Sequence, residues 1–358
     1  RRLLIEGFAL IRFLFQEKSM RHFIVVGILT ILASVLLYMG LSAAHLMPVA
    51  ASAQAVPIDW MWKLILIVMS FFFSLIVVPM GYSLVVFRRR RGETGDGAHF
   101  EGNTTLELLW TAIPLLIVVS FSVIGARNLA QTLARNPQAP VIKVTGLQWS
   151  WRFEYPADSA TGLVVVSDQL HLPVGEQVLL RMTSSDVIHS FWVPEFRVKQ
   201  DLVPGRFTEL TITPTEEGSY KVRCAELCGT KHYSMENPVI IQSQADYDAW
   251  FAGELEKAKL ASSSPEGFGQ LLVQQNGCAA CHSITGGTLV GPTWLGLSGS
   301  PVELSDGTTV NADDAYLTES ISNPQAKIVK GFESVQMVQY TFTPDELSAI
   351  VAYIKTIK

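Results

Sequence analysis

The sequence predicts a multidomain membrane protein, in which a helical transmembrane anchor precedes an all-β domain and an all-α domain. Its 358 residues are too many for one small domain, and 49% of them are hydrophobic. Long apolar runs lie in the first third of the chain, and a pattern of period two replaces them from about residue 138. The expected boundaries are an anchor at 1–137, a β domain at 138–245, a helical connector and linker at 246–265, and a helical domain at 266–358.

The anchor is expected to contain three transmembrane helices, near residues 22–47, 62–87 and 107–127. Each region holds an uncharged apolar run long enough to cross about 30 Å of hydrocarbon as a helix. A basic run, Arg88-Arg89-Arg90-Arg91, follows the second helix, whereas residues 47–61 contain no Lys or Arg. The positive-inside rule therefore places the N-terminus inside and everything after about residue 127 outside.

The first apolar run has an alternative interpretation as a signal peptide. Ala51-Ser52-Ala53 resembles the small-residue site at which such peptides are cleaved. The apolar core of this run is longer than the roughly 7–15 residues typical of signal peptides. The length of the run therefore favours a retained helix.

The β domain is predicted from an aromatic alternation. Leu147, Trp149, Trp151, Phe153 and Tyr155 alternate with polar residues, which predicts one strand with a single aromatic face. Further strands are expected at residues 177–183, 207–213, 219–223 and 238–242, separated by Pro and Gly turns. Together they predict an antiparallel sandwich or barrel, followed by a helical connector at 245–261 and a Ser-rich linker at 262–265.

The first pair of cysteines indicates a metal site. Cys224, Cys228, His232 and Met235 lie close enough in sequence for one loop to supply thiolate, imidazole and thioether ligands, and His189 is the candidate for a further ligand. Two thiolates can bridge two coppers, so the pair favours a binuclear centre. Zinc held by two Cys and two His is the competing site, but it would not explain Met235. Two disulfides among the four cysteines are a further alternative.

The second pair of cysteines forms the covalent haem c attachment pattern, Cys278-Ala279-Ala280-Cys281-His282. Both thiols would form thioethers to the porphyrin, and His282 would be the proximal iron ligand. Residues 266–358 contain no other His and a single Met, so Met337 is the best candidate for the sixth ligand. A methionine buried only for packing is the alternative. Two metal-binding patterns of this kind indicate an electron-transfer protein.

The haem region resembles class I cytochromes c. The residues that carry the resemblance are the segment from Lys330 to Met337, which resembles the methionine loop, and Gly291-Pro292, which resembles the turn that orients the proximal His. Methionines of this kind are often followed by Pro, whereas Val338 follows Met337 here. The resemblance implies an all-α class I cytochrome c domain with a closing helix at 343–357.

Residues 58–245 resemble the copper-binding part of another family. His189, the segment 199–206 and the segment from Cys224 to Met235 are similar to the cupredoxin-like CuA domain of subunit II of haem–copper cytochrome c oxidases. The resemblance implies that His189 and His232 each ligate one copper, that Cys224 and Cys228 bridge both, and that Met235 is a weak ligand. It also implies that Glu226 contributes its backbone carbonyl to copper and its carboxylate to a Mg²⁺ or Mn²⁺ shared with subunit I.

Two further roles follow from this resemblance. Trp149 matches the tryptophan through which electrons reach the copper centre, although it also fits the alternating aromatic face. Glu107 matches the acid at the cytoplasmic mouth of a proton pathway into subunit I. A Glu at the start of a helix is otherwise a common dipole-compensating cap.

A copper domain followed by a cytochrome c resembles subunit II of the caa-type terminal oxidases of bacteria. The resemblance implies a relay from a cytochrome c or another donor complex, through haem c and CuA, to subunit I, where O₂ is reduced to water with proton pumping. It also implies other oxidase subunits and the lipid of a bacterial plasma membrane as partners, with both metal domains on its outer side. No nucleic-acid partner is expected.

Other classes of protein use similar modules. A nitric oxide reductase with a CuA domain would differ in the gas that it consumes, and nitrous oxide reductase has a large catalytic domain that this sequence lacks. A copper chaperone would not need a covalent haem. Subunit II of quinol oxidases lacks the copper ligands and is excluded.

Overall fold

The computed structural model describes residues 2–89, 91–95, 97, 99, 101–287 and 289–358, with side chains from residue 20 onward. Arg90 of the predicted basic run therefore lies outside the described residues. The chain forms two compact units, one from Arg1–Val49 and Val56–Gln131 and the other from Ala50–Ala55 and Thr132–Lys358.

The first unit is helical. Its helices are α1 (Arg2–Ala43), α2 (Ala55–Val86) and α3 (Thr104–Thr132). All three contain segments long and apolar enough to cross a membrane, and in α1 this segment is Met20–Ala43. Helix α1 begins at Arg2 instead of near residue 22, because the segment before residue 22 contains no Pro and many good helix formers.

The surface of these helices suits a hydrocarbon solvent. Large apolar side chains such as Leu108 and Val118 are exposed on the outside of the unit. The buried polar side chains are small, among them Thr30, Ser70 and Ser74, which permits helices to approach closely. Helix α3 starts with an Asn103 cap, whose Oδ1 accepts a hydrogen bond from the Leu106 amide at 3.1 Å.

The second unit begins with a β sandwich of two five-stranded sheets. The strands are β1 (Val141–Leu147), β2 (Ser150–Glu154), β3 (Val166–Ser167), β4 (Leu170–Pro173), β5 (Val178–Ser184), β6 (His189–Val193), β7 (Val198–Leu202), β8 (Thr208–Ile212), β9 (Gly218–Cys224) and β10 (Glu236–Gln242). One sheet has the order β3-β2-β1-β5-β8 and the other β4-β10-β9-β6-β7. Apolar side chains from both sheets fill the core between them.

Two features of the sandwich differ from the prediction. The sheets are mixed, because β1 pairs with β5 and β4 with β10 in parallel. The aromatic alternation is also not one strand, since β1 ends at Leu147 and β2 begins at Ser150, with Trp149 in the turn between them. Trp149 is the member of the alternating set that is only partly buried, whereas Trp151, Phe153 and Tyr155 are each at most 2% exposed.

The segment Ala50–Ala55 forms part of the sandwich although it precedes α2. The Ala51 amide donates to the Glu195 carbonyl at 2.9 Å, and the Thr215 amide donates to the Ala51 carbonyl at 3.0 Å. Ser52 is 1% exposed, and its hydroxyl donates to the Phe196 carbonyl at 3.0 Å. The stretch that resembled a cleavage site is thus hydrogen-bonded into the β domain.

The rest of the second unit is largely helical. It contains α4 (Gln244–Ala261), α5 (Pro265–Gln275), α6 (Asp314–Ser322) and α7 (Pro344–Ile354), together with a hairpin of β11 (Pro301–Glu303) and β12 (Thr309–Asn311). The expected connector and closing helix are therefore present, whereas the hairpin was not predicted. Helices α5 and α7 cross at Gly269, where a Cβ atom would collide with the Ala349 carbonyl oxygen.

Candidate functional site

One loop of the β sandwich gathers sulphur and nitrogen ligands. Strand β9 ends at Cys224, a short 3-10 helix carries His232, and Met235 follows directly before β10. The Cys224 Sγ atom lies 3.7 Å from the Cys228 Sγ atom, which lies 3.6 Å from His232 Nδ1 and 3.7 Å from Met235 Sδ. Cys228 and Met235 are at most 2% exposed. The sequence therefore folds four donor atoms into one buried cluster.

His189 joins this cluster from the neighbouring strand. It begins β6, which pairs with β9 so that Phe191 lies opposite Cys224. The His189 Nδ1 atom is 3.8 Å from Cys224 Sγ, and the side chain is fully buried. Gly146 permits this position, because a Cβ atom there would lie 2.9 Å from His189 Cδ2.

Asp186 fixes the orientation of the His189 ring. Its Oδ1 atom lies 2.8 Å from His189 Nε2, and its Oδ2 atom accepts from the Gln148 amide at 2.7 Å. Burial acts to lower the pKa of His189, but the contacts with Asp186 and Cys224 raise that pKa overall. Burial likewise acts to raise the pKa of Asp186, and hydrogen bonds from His189 and Gln148 lower it overall. Nδ1 is thus the nitrogen that remains for a metal.

The two thiols are suited to holding metal together. Their sulphurs are 3.7 Å apart, far beyond the roughly 2.05 Å of a disulfide, and metal–sulphur bonds of about 2.3 Å can span that gap. Burial acts to raise the pKa of Cys224, but hydrogen bonds from His189 and nearby amides lower it to about 6. Burial and the neighbouring Cys224 thiolate raise the pKa of Cys228 to about 12. The first thiolate is therefore available at neutral pH.

These donors fit a pair of copper ions. Two thiolates, two imidazoles and a thioether converge within one cluster, and soft sulphur with imidazole is a ligand set that copper favours. The Glu226 carbonyl oxygen is 3.1 Å from Cys224 Sγ, so it also faces the cluster, while the residue as a whole is exposed. The thioether of Met235 distinguishes this set from a simple two-Cys, two-His zinc site.

The haem-attachment motif lies in the helical part of the unit. Cys278 begins a short 3-10 helix after α5, and the His282 Nδ1 atom is 2.8 Å from the Pro292 carbonyl oxygen. Burial lowers the pKa of His282, which the contact with this carbonyl only partly opposes. Gly291 leaves room for the ring, since a Cβ atom there would lie 2.7 Å from His282 Cε1. The imidazole is thus held neutral, with Nε2 as the nitrogen for iron.

Two adjoining cavities of 460 and 360 Å³ flank this motif. His282 and Met337 line both of them, together with Val329 and Phe332. Their combined size and mainly apolar walls fit a porphyrin held between His282 and Met337. Trp294 stacks on the His282 ring with centroids 4.9 Å apart.

The turn between β1 and β2 lies between the two sites. Gln148 Nε2 donates to the Cys228 carbonyl at 2.7 Å, and Trp149 Nε1 donates to the same oxygen at 3.1 Å. Both residues also line the 360 Å³ cavity, where Cys281 Sγ lies 3.8 Å from the Gln148 carbonyl oxygen. Trp149 is therefore a turn residue that contacts the sulphur loop and borders the haem cavity.

Glu107 lies in the first turn of α3, away from these sites in sequence. Its Oε1 atom accepts a hydrogen bond from the Asn103 amide at 3.2 Å. The structure therefore gives this carboxylate a capping contact of the kind that its position at a helix start suggested.

Sequence reasoning missed three residues of the site. Asp186 contacts the His189 ring, Gln148 donates to the Cys228 carbonyl, and Trp294 packs on His282. Asp186 stands three residues before His189, a spacing that could have indicated its contact with the ring. Gln148 reaches the Cys228 carbonyl from the turn between β1 and β2, and the aromatic alternation had predicted a continuous strand there.

Comparisons with known proteins agree with this arrangement. Residues 157–244 match the family of the cytochrome c oxidase subunit II periplasmic domain, 39–126 match its transmembrane domain, and 268–358 match the cytochrome c family. Cytochrome c oxidase subunit 2 of Synechocystis sp. is 34% identical over 58% of this chain and 75% of the relative. The same subunit of Alkalihalophilus pseudofirmus is 29% identical over 77% of this chain and 80% of the relative.

A solved structure is also similar. The periplasmic domain of subunit II of cytochrome oxidase from Bradyrhizobium japonicum is 28% identical, covers 34% of this chain and 98% of that domain, and gives a TM-score of 0.31. Fold and site together define a membrane-anchored cupredoxin-like protein with an attached cytochrome c domain. The chain belongs to the cytochrome c oxidase subunit II family.

Proposed function

We propose that this chain is the electron-relay subunit of a caa-type haem–copper terminal oxidase. It receives electrons from a donor and passes them through haem c and binuclear copper to subunit I, where O₂ is reduced to water with proton pumping. One observation carries the proposal: the Gln148–Trp149 turn bonds the Cys228 carbonyl and borders the cavity of the haem-attachment motif. The same short segment thus contacts both candidate electron carriers.

The copper ligands in this proposal are the donors of the sulphur cluster. Cys224 and Cys228 would supply thiolates shared by two coppers, and each imidazole would serve one of them, because neighbouring sulphur and nitrogen atoms of this cluster lie at most 3.8 Å apart. Met235 and the Glu226 carbonyl complete the set, which comprises His189, Cys224, Glu226, Cys228, His232 and Met235. The Glu226 carboxylate, on an exposed residue, is proposed to share a Mg²⁺ or Mn²⁺ with subunit I.

The haem ligands in this proposal are His282 and Met337, with thioethers at Cys278 and Cys281. Burial raises the pKa of Cys278 to about 12, so this thiol is protonated and chemically quiet until haem is attached. When bound, the haem and the copper pair would each accept and release one electron at a time.

The protein between the two sites supplies a short connection. The Gln148 carbonyl faces Cys281, and the Gln148 side chain is bonded to the Cys228 carbonyl. Trp149 adds a second hydrogen bond to the same carbonyl. We therefore propose Trp149 as the residue through which electrons reach copper, with Gln148 beside it. In this structure both face the haem cavity of the same chain.

The anchor places these domains at a membrane. The basic residues that follow α2 favour the inside for that loop, and hence the outer side of a bacterial plasma membrane for the metal domains. Subunit I, other oxidase subunits and lipid would contact the three apolar helices. A cytochrome c or another donor complex would deliver electrons from outside. Glu107 is proposed to stand at the mouth of a proton pathway into subunit I.

Oxygen consumption by the purified complex tests the proposal. With a reduced cytochrome c as donor, we expect azide-sensitive O₂ uptake, acidification outside reconstituted vesicles, and a covalent haem c signal in the reduced-minus-oxidised spectrum. Metal analysis should give two coppers per covalent haem in this subunit. Consumption of nitric oxide without O₂ uptake would favour a reductase instead, and copper that exchanges freely with chelators would favour a chaperone.

A further inference from the structure

The hairpin of β11 and β12 is hydrogen-bonded to another segment of the helical region, residues 328–330. Its strands pair antiparallel, with Val302 opposite Val310, and its turn contains Gly307 at a φ of 84°. Val302 and Leu304 are buried at 7% and 4% exposure in the core of this region. The hairpin is therefore anchored by its own apolar residues.

The outer edge of the hairpin pairs with the segment at residues 328–330. Leu304 and Val329 form an antiparallel bridge. The Ser305 amide donates to the Ile328 carbonyl at 2.9 Å, and the Lys330 amide donates to the Glu303 carbonyl at 3.0 Å. The side chains of Lys330 and Glu303 also form an ion pair, but both are more than half exposed, so this pair adds little.

This paired segment is the start of the loop that carries Met337. Only six residues lie between Lys330 and Met337, and in the structure they form no helix or strand. Residues 325–343 contain no Pro, and Val338 follows Met337 where a Pro would stiffen the loop. Gly331, at a φ of 89°, adds a flexible position directly after the paired segment.

The hairpin and the loop line the same cavity. Val302 and Glu303 of the hairpin border the 460 Å³ cavity together with Val329, Lys330 and Met337. Beyond Met337, Gln339 Nε2 donates to the Ser322 carbonyl at 3.2 Å, and the Tyr340 hydroxyl donates to the Asn276 carbonyl at 3.0 Å. Hydrogen bonds thus fix the loop at both ends, and at its beginning they are made with the hairpin.

We propose that the β11–β12 hairpin is a positioning element that keeps Met337 on the haem iron. This inference rests on the proposed role of Met337 as sixth ligand. Pairing residues 328–330 with the hairpin removes backbone freedom from the loop, so the methionine loses less conformational entropy when it binds. Without the pairing, Met337 leaves the iron more readily, although the haem stays covalently attached.

Three variants of the full complex test this role. Ser305→Pro removes the donor to the Ile328 carbonyl, and Leu304→Ala removes the side chain at the bridge to Val329. Val310→Ala is the matched control, because it truncates a half-buried apolar residue of the same hairpin on β12, opposite Val302, and this strand does not pair with the loop. Circular dichroism and the yield of covalent haem show which variants are folded.

The readout is the far-red absorption band of ferric haem with a methionine sulphur ligand, followed as the pH is raised. In Ser305→Pro and Leu304→Ala we expect Met337 to be displaced about tenfold more readily, so the midpoint of band loss falls by about one pH unit. Val310→Ala should keep a midpoint near that of the parent protein.

Two outcomes would overturn the inference. Equal midpoints in all folded variants would show that the hairpin does not position Met337, and an equal decrease in Val310→Ala would show a general loss of stability. If Met337→Ala itself keeps the band, the proposed ligand is wrong, which separates that failure from a failure of the hairpin role.

Discussion

Asp186 joins His189 to the turn that borders the haem cavity. One carboxylate oxygen lies 2.8 Å from His189 Nε2, and the other accepts from the Gln148 amide at 2.7 Å. The carboxylate thus leaves His189 Nδ1 directed at the sulphur cluster and also fixes the backbone beside Trp149. Both contacts require an acceptor, so a group with two acceptor oxygens is needed at this position.

We expect Asp186→Asn to weaken copper binding. An amide can accept from only one of the two N–H groups, so either His189 or Gln148 loses its partner. The expected loss of copper affinity is about 10–100-fold, which is typical for the partner of a metal-ligating imidazole. Competition with a copper chelator measures it, with Asp248→Asn on helix α4 as the control. An unchanged affinity would mean that Asp186 does not orient the ligand.

The two copper-site thiols should react differently in the metal-free protein. Because the pKa of Cys224 is lowered to about 6 and that of Cys228 raised to about 12, the pair carries one thiolate between about pH 6 and about pH 12. A small alkylating reagent should therefore modify Cys224 first at pH 7, and its rate should fall as the pH drops through 6 and the thiolate is protonated. Mass spectrometry of the haem-loaded, copper-free protein locates the label.

Single substitutions give the control for this prediction. Cys228→Ser should keep the fast reaction, and Cys224→Ser should abolish it. Equal rates at both thiols, with no change across pH 6, would contradict the assigned order of ionisation.

Local patterns predicted much of this architecture. The apolar runs predicted all three long helices, and the inward positions of Trp151, Phe153 and Tyr155 followed from their alternation. The spacing from Cys224 to Met235 likewise predicted one compact cluster, because its members lie on a single loop. In each case the residues that determine the structure are close in sequence.

Features that depend on distant pairing escaped prediction. The parallel pairing of β1 with β5 is set by the packing of whole sheets, and no local pattern distinguishes it from an antiparallel pairing. The bonds from Gln148 and Trp149 to Cys228 join residues about 80 positions apart. For the hairpin a signal was present, since Asp306-Gly307 is a strong turn dipeptide, but strands of three residues are too short to show alternation.

We expect Met337→Ala to leave the haem attached while removing its sixth ligand. In the proposed arrangement Cys278 and Cys281 would hold the porphyrin independently of this side chain, which lines the cavity with His282. The reduction potential should fall because a thioether ligand stabilises ferrous iron, and the reduced haem should bind CO. Optical titration and CO difference spectra measure both effects. A low-spin His–Met spectrum in this variant would show that another residue is the ligand.

Glu107 can be tested with two substitutions that separate its capping contact from its charge. Glu107→Gln keeps an oxygen that accepts from the Asn103 amide, whereas Glu107→Ala removes both the acceptor and the charge. If the carboxylate admits protons, Gln should slow turnover and proton pumping of the complex as much as Ala does, with unchanged copper and haem c spectra. Normal turnover in Gln with a decrease only in Ala would leave Glu107 as a helix cap.

Donor preference should follow the charge of the haem domain. From Glu266 to Lys358 the sequence contains nine Asp and Glu, four Lys and no Arg, and 4 − 9 gives −5. Three of the four lysines form ion pairs with Glu319, Glu303 and Asp314, so much of the remaining surface charge is negative. Such a surface attracts basic partners and repels acidic ones over about 10 Å at moderate salt.

We therefore expect a basic soluble cytochrome c to be oxidised faster than an acidic one at low ionic strength, with the difference shrinking as salt is added. Stopped-flow oxidation rates across an ionic-strength series measure this, and rates independent of salt for both donors would show that the acidic surface does not select the donor.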